Sequence, residues 1–285
     1  MPVVESLPYT PWRERGSVVG GDFRWRLGIR PLDLDDWIEF GVDSDGPDGW
    51  LADKARILAD HHETAVATLD GIEAEATEVA DAVVAHLAAH EPHRPRHLGP
   101  SVHPLDAAGR LVPEDLVLMV ERDGRLVFGG GSVCFPNRWD LRSKLGRTMA
   151  EVHAPVAGLN DQLEVNIDQF LARLRPDRPF WRLGWGVIDV ADGYTPTDGT
   201  APPRPTVHDP SEMFVRVERE TLRRFPDTGC VLFTIRTYVT SLGSVTADGE
   251  SAHNLAAALD AMSPAVLSYK DLSDQADALV ELLAR

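Results

Sequence analysis

The pair of apolar runs flanking Asp123-Gly124 constrains the fold more than any other feature. LVLMVE, which follows Pro113-Glu114-Asp115, and RLVFGGGSVCF at 125–135 are rich in β-branched and aromatic residues. An Asp-Gly dipeptide between two such runs specifies a two-residue hairpin, because both central positions take positive φ. An antiparallel sheet therefore starts here. FWRLGWGVIDV (180–190), EMFVRVERE (212–220) and CVLFTIRTYVT (230–240) read as three further strands, with the Pro/Gly/Thr-rich loop 193–210 among them.

Elsewhere the apolar period is helical. Leu51, Ala55 and Leu58, then Ile72, Val79, Val83 and Leu87, predict two helices joined near Asp70-Gly71. Residues 91–100, EPHRPRHLGP, hold three prolines and end that region as a linker or binding loop. A short helix is expected over Trp139–Leu145. A longer one over Leu159–Leu174 carries the stripe Leu163, Ile167, Phe170, Leu171 and Leu174, and two more span Ser251–Met262 and Leu272–Leu283. The stretch Pro8–Gly49 reads as an irregular wrap with a short strand at Phe23–Ile29. Strands interrupted by helices, with helices at both ends, predict an α+β fold: an antiparallel sheet, covering helices and a helical N-terminal layer. The expected organisation is a single domain over 1–285, with the wrap and helices in 1–100 and the sheet core in 101–285.

Charge and cysteines narrow the function. With 28 Lys+Arg against 45 Asp+Glu the formal net charge is −17, which opposes sequence-independent binding to nucleic acid or to an anionic membrane and favours a small cationic substrate or a basic partner. Cys134 and Cys230 lie far apart in apolar runs, as reduced buried thiols do. No leader pattern and no membrane-length apolar run is present, so the expected location is the cytoplasm. CxxCH, CxxC, GxGxxG and Walker A motifs are absent, so any cofactor is held by less stereotyped residues.

Several constellations are open to chemistry. His86 and His90 share a helix face, with His93 and His97 beyond, but Pro92 and Pro95 interrupt them and no carboxylate or thiol completes a site. They read as solvent-exposed histidines at a helix end. Asp43, Asp45 and Asp48 lack the final Glu of a calcium loop and read as turn residues. Gly129-Gly130-Gly131 either relieves crowding by another backbone or a flat ligand, or marks a bulge. His153, ahead of Pro155, is an ordinary histidine unless its loop presents it to a ligand. Arg216 and Glu218 alternate with valines and share a strand face; with Arg219, Arg223, Arg224 and Arg236 they suit either a carboxylate ligand or a buried ion-pair network.

Five strings occur in one order along the chain: HPLDAAGRLVPEDLVLM (103–119), SVCFPNRW (132–139), KLGRTMAEVHAPVAG (144–158), RVERETLRRFP (216–226) and VLFTIRTY (231–238). Together they resemble the haem-dependent oxidative N-demethylase family, long described only as a domain of unknown function. The resemblance implies a PAS-like fold that holds haem b. It also implies oxidation of a secondary methylamine such as dimethylamine with O2 and electrons from a flavin and iron–sulfur reductase partner, releasing formaldehyde. His153 is then the expected axial iron ligand, with His103 as the alternative. Lys144, Arg219, Arg223 and Arg236 are the expected propionate partners. Glu218 is expected to hold the substrate ammonium, and Tyr238 to donate a hydrogen bond to oxygen. A haem-PAS sensor and a non-catalytic binding module are the competing readings. The chain departs from the family pattern at Asn137, Ala157 and Glu220, where Ser, Pro and Gln are usual, and Glu220 adds a carboxylate beside Glu218.

Overall fold

The structure is a computed structural model that describes residues 3–14, 18–19, 21–41, 43–97, 103–201, 203 and 207–285. Parts of the 91–100 and 193–210 segments lie outside these residues. The N-terminal stretch contributes β1 (Val18–Val19) and β2 (Asp22–Phe23), paired with each other, and β3 (Arg30–Pro31). Then follow α1 (Trp50–Asp60), α2 (His62–Ala65), β4 (Val66–Thr68), α3 (Glu73–His90) and α4 (Pro104–Gly109). The core continues with β5 (Asp115–Arg122), β6 (Arg125–Ser132), α5 (Met149–His153), α6 (Leu159–Arg173), β7 (Phe180–Ile188), β8 (Phe214–Arg224) and β9 (Val231–Ser241). Four helices end the chain: α7 (Leu242–Thr246), α8 (Gly249–Asp260), α9 (Pro264–Tyr269) and α10 (Ala276–Leu283).

Seven antiparallel strands form one open sheet in the order β3-β7-β8-β9-β5-β6-β4, so the fold is α+β. The hairpin turns at Asp123 and Gly124 with φ of 51° and 75°, as its dipeptide requires. The glycine run meets both expectations raised for it. The register of β5 with β6 skips Gly129, which makes that residue a bulge, and a Cβ on Gly130 would stand 3.0 Å from the Ala67 carbonyl oxygen of β4. β6 ends where the Asp115 carboxylate accepts the backbone N–H groups of Cys134 and Phe135, at 2.8 and 2.9 Å.

The two faces of the sheet are covered differently. Leu116, Leu118 and Val120 of β5 and Leu232 of β9 pack with α3, α4 and Trp37, and Val215, Val217 and Val187 pack with α8 and α10. This is the wrap face. On the other side Val117, Met119, Leu222, Val231 and Phe233 meet α5 and α6. This is the α6 face. The α6 stripe is the predicted one, but Leu163, Ile167 and Phe170 are only half-buried and Leu171 alone is buried within the helix.

Four local expectations change. The 51–90 region contains the edge strand β4 as well as helices, because Val66–Thr68 pair with β6. Trp139–Leu145 is a single 3-10 turn at Arg142–Lys144: the Asp140 carboxylate takes the N–H groups of Arg142 and Ser143, and Gly146 turns the chain at φ 73°. Residues 24–29 pair with no strand, since the Trp25 N–H goes to Gln162 and Gly28 has φ 58°. α7 and α9 add two helices near the predicted C-terminal pair. No helix among the described residues is long and apolar enough to cross a membrane. Cys134 and Cys230 are buried free thiols.

Candidate functional site

Strand alternation sorts the candidate residues. Arg216, Glu218, Glu220 and Leu222 of β8 share the α6 face, whereas Val217, Arg219, Thr221 and Arg223 share the wrap face. Register carries the division across the sheet: Glu218 pairs with Gly184 and Thr237, Arg219 with Arg236, and Val217 with Tyr238.

His153 ends α5, which packs by Met149 and Val152 against the α6 face. A capping box between Thr148 and Glu151 starts that helix, and the Lys144 ammonium donates to the Val152 carbonyl at 3.1 Å. Burial pushes the Lys144 pKa down, with Arg147 adding to the effect. The imidazole of His153 is thus held between two anchored segments. Its Nδ1 is shut off from solvent and has no hydrogen-bond partner among the described residues. Burial, with the charges of Arg182 and Lys144, lowers its pKa to about 4, so the ring is neutral at pH 7. A neutral imidazole with an unengaged buried nitrogen has the chemistry of an iron ligand. Beside it, the half-buried Met149, Val152, Ile167, Phe170 and Phe233 provide apolar surface suited to a macrocycle. The residues present therefore fit a haem.

The floor next to His153 is charged. The Arg216 guanidinium, 2% exposed, donates to Glu218 Oε1 at 2.7 Å, to the Phe135 carbonyl and to Thr237. Glu220, 8% exposed, pairs through Oε2 with Arg182 Nε at 3.1 Å. Burial raises the Glu220 pKa to about 7 against the pull of Arg182, and the neighbouring Glu218 adds to the rise. Gly184 and Gly186 bring no side chain to this part of β7. A Cβ on Gly184 would stand 2.8 Å from Glu220 Oε1 and 3.3 Å from Glu218 Oε2, and one on Gly186 would stand 4.0 Å from Lys270 Nζ. Lys270 donates to the Trp185 carbonyl at 3.1 Å and lies 5.5 and 5.4 Å from the Trp25 and Trp185 rings. Burial takes its pKa down to about 8, opposed by the charge of Glu218.

The other sequence candidates stand on the wrap face. Arg219 donates to the carbonyls of Asp36 and Trp37 and pairs with Glu39 at 3.3 Å. Arg236, fully buried, donates to Asp43 at 2.6 Å and to the Glu39 carbonyl at 3.0 Å. Arg223 lies over the rings of Trp37 and Phe225, at 4.4 and 4.8 Å. Tyr238, 3% exposed, packs against Tyr9 and Arg236, and burial pushes its phenol pKa up. These four residues and His153 therefore do not share one pocket: the sheet separates them, and the arginines serve the wrap. Arg219, Arg223 and Arg236, expected at propionates, and Tyr238, expected at oxygen, thus lie on the face of the sheet opposite the one that α5 and His153 cover. His103 caps α4, its Nδ1 accepting from the Leu105 N–H at 3.2 Å, and so already has a structural task.

Sequence reasoning passed over Arg182, Lys270 and the Gly184/Gly186 pair. The signal was the LGWGV string, in which two glycines two residues apart clear one face of a strand. The histidine cluster also differs from expectation. His86 is buried against Trp37 and stacks on His90 at 4.5 Å, and no group of three metal-ligating side chains occurs among the described residues.

A family model described as haem-dependent oxidative N-demethylase, alpha subunit-like, matches residues 90–280, a span that holds His153, both glutamates and all five long strands. The chain belongs to the haem-dependent oxidative N-demethylase, alpha subunit-like, family.

Proposed function

We propose that this protein binds haem b through His153 and oxidatively demethylates a small secondary methylammonium such as dimethylammonium, using O2 and electrons from a flavin and iron–sulfur reductase partner. The observation that carries this reading is the neutral, half-buried His153 with a buried, unengaged Nδ1, facing the same side of the sheet as two carboxylates. The haem, when bound, supplies the oxidative chemistry with O2, and formaldehyde is the product. His153 holds the iron. Arg182 and Lys144 are the cations on this face suited to propionates, a role that Arg219, Arg223 and Arg236 leave open by serving the wrap. Glu218 draws in and orients the ammonium, while Glu220, with its pKa near neutrality, can take up the proton that the amine gives up. The apolar side chains of α5 and α6 keep water from the reacting carbon.

The order of the five long strands, β6-β5-β9-β8-β7, supports the PAS-like reading. One domain spanning 1–285 is supported by the Arg236 and Arg219 bonds, which tie residues 36–44 to the sheet. Two buried free thiols suit the cytoplasm. The family description names an alpha subunit, which supports a separate electron-donating partner.

The test is an absorbance spectrum of haem-loaded protein before and after reduction and O2, for the wild type, His153→Ala and His103→Ala, with formaldehyde measured over a panel of methylamines. Loss of the Soret band in His153→Ala alone, and formaldehyde from the wild type, is the expected result. A wild type without a Soret band overturns the haem assignment. A haem spectrum with no turnover of any amine overturns the demethylase reading and favours a sensor.

A further inference from the structure

The Lys+Arg total of 28 includes only three lysines, Lys54, Lys144 and Lys270, and the last is placed unlike a surface lysine. It caps the C-terminus of α9 and is half-buried. Its Nζ donates to the Trp185 carbonyl at 3.1 Å and stands 5.5 and 5.4 Å from the centres of the Trp25 and Trp185 rings. Trp25 is in turn fixed to the loop that follows α5, its indole N–H donating to the Ala157 carbonyl at 2.8 Å, so one wall of this aromatic box is tied to the chain just after His153. Gly186 lies beside Nζ, in the row of β7 that holds Arg182 and Gly184 and pairs with Glu220 and Glu218. A carbon at the Cβ position of Gly186 would meet Nζ at 4.0 Å and, outside the two adjoining residues, no other atom within that distance. Room for a single carbon is thus left between the strand and the amine. Glu218 is the carboxylate whose charge reaches Nζ, and it is engaged with Arg216, which stands opposite Gly186 in register. Arg138 donates to the Lys270 carbonyl and pairs with Asp189 and Asp271.

We infer that Lys270 captures a one-carbon aldehyde as a covalent adduct on Nζ, in the space over Gly186. This rests on the amine reading proposed above for the source of the aldehyde, since on that reading formaldehyde is released on this face of the sheet. The capture needs a neutral amine. Burial supplies one, because an ammonium taken out of water is disfavoured: the Lys270 pKa falls to about 8 against the opposing charge of Glu218. Lysines desolvated in this way are the ones that form Schiff bases with carbonyl compounds. The Nζ lone pair attacks the carbonyl carbon, the carbonyl oxygen takes up a proton and Nζ gives one up, which leaves a carbinolamine. Departure of water then forms a C=N bond, and its return reverses both steps. No electron is gained or lost. Lys54 is excluded from this role by its place: 1% exposed, it donates to the carbonyls of Val112 and Glu114 and faces Asp115 at 3.9 Å. Lys144, held on the Val152 carbonyl, has no aromatic box and serves as the comparison on the same face.

The test supplies formaldehyde with sodium cyanoborohydride to the full-length haem-loaded protein and follows N-methylation of each lysine by peptide mass spectrometry. Reduction of the C=N bond leaves a methyl group on whichever amine formed it. At about pH 7 Lys270 is expected to be methylated at least about tenfold faster than Lys144 or Lys54, and in guanidinium the three are expected to react alike. Gly186→Ala changes no charge but puts a methyl into the space beside Nζ. It is expected to slow methylation of Lys270 about tenfold, while the rate at Lys144 and the circular dichroism stay at their wild-type values. A native Lys270 that reacts no faster than Lys144 overturns the inference, and this comparison carries the test alone if Gly186→Ala does not fold. A Gly186→Ala variant methylated at the wild-type rate also overturns it. Because the aldehyde is supplied directly, these outcomes do not depend on turnover. Fast methylation of Lys270 in a protein that releases formaldehyde from no amine overturns the amine reading and leaves the aldehyde site standing.

Discussion

The Arg236 guanidinium on β9 donates to the Asp43 carboxylate at 2.6 Å, and this buried pair fastens the N-terminal wrap to the face of the sheet opposite His153. Neither side chain is more than 5% exposed. Trp50 adds its indole N–H to the same carboxylate at 2.7 Å, and the Glu39 carbonyl receives Arg236 Nε. Breaking such a pair by removing one partner leaves a buried charge alone and costs about 3–5 kcal/mol. Asp43→Asn and Arg236→Met are therefore expected to lower the stability measured by urea unfolding by about 3 kcal/mol. The Soret band per folded molecule should stay at its wild-type position. A spectrum altered in Arg236→Met, with little loss of stability, would return that arginine to the haem site.

Gly130 should tolerate no side chain. Its Cβ would stand 2.8 Å from Thr68 Cγ2 and 3.0 Å from the Ala67 carbonyl oxygen, so β4 would have to separate from β6. Gly130→Ala is expected to cost about 1–3 kcal/mol, the usual range for overpacking. Gly249→Ala, at the start of α8 with open space around it, is the matched control and should be neutral or stabilising by a few tenths of a kcal/mol. Chemical denaturation of the two variants compares them directly.

Acid should loosen the layer formed by α3. Burial, with the charges of His90 and Arg223, brings the His86 pKa down to about 4 against the opposing charges of Asp35 and Glu91. The folded protein thus binds this proton less well than the unfolded chain, whose histidine titrates near 6.5. The stability contributed by neutral His86 is full above about pH 6.5 and is lost as pH falls towards 4. Between pH 7 and pH 4.5 the Tm of the wild type should fall by roughly 2–5 °C more than that of His86→Leu. Parallel Tm–pH curves for the two proteins would contradict this.

Both cysteines should be inert in the folded protein. Burial pushes the Cys134 thiol up to about 12 and the Cys230 thiol up to about 11, so neither forms an appreciable thiolate at pH 8. Ellman's reagent is expected to find no thiol in the native protein and both in guanidinium. Rapid labelling of either residue without denaturant would show that its part of the core opens.

How much of this was readable from residues alone differs from element to element. The 115–132 hairpin was plain, because Asp123-Gly124 demands positive φ whatever surrounds it and the flanking runs are β-branched. The α6 stripe was plain for a similar local reason, the helical period of Leu163, Ile167, Phe170 and Leu171. β4 was hidden, since three residues within a helical region become a strand only by pairing with β6. The 3-10 turn at Arg142–Lys144 was also hidden, because the apolar residues nearby gave no sign that the Asp140 side chain would take the backbone donors.

At the site the division is sharper. The order of the family-like strings singled out His153 and Glu218, and alternation along β8 alone separates Glu218 from Arg219 and Arg223. Sequence period determined that these side chains fall on two faces. Which face each one shares with His153 was decided only when α5 packed on Val117 and Phe233, and when residues 36–44 folded across the opposite side to claim Arg219 and Arg236. The physical reason is range: hairpins, helix stripes and alternation come from torsion angles and neighbours a few residues apart, whereas a buried charge finds its partner through contacts that join segments nearly 200 residues distant, as Arg236 and Asp43 do with a separation of 193.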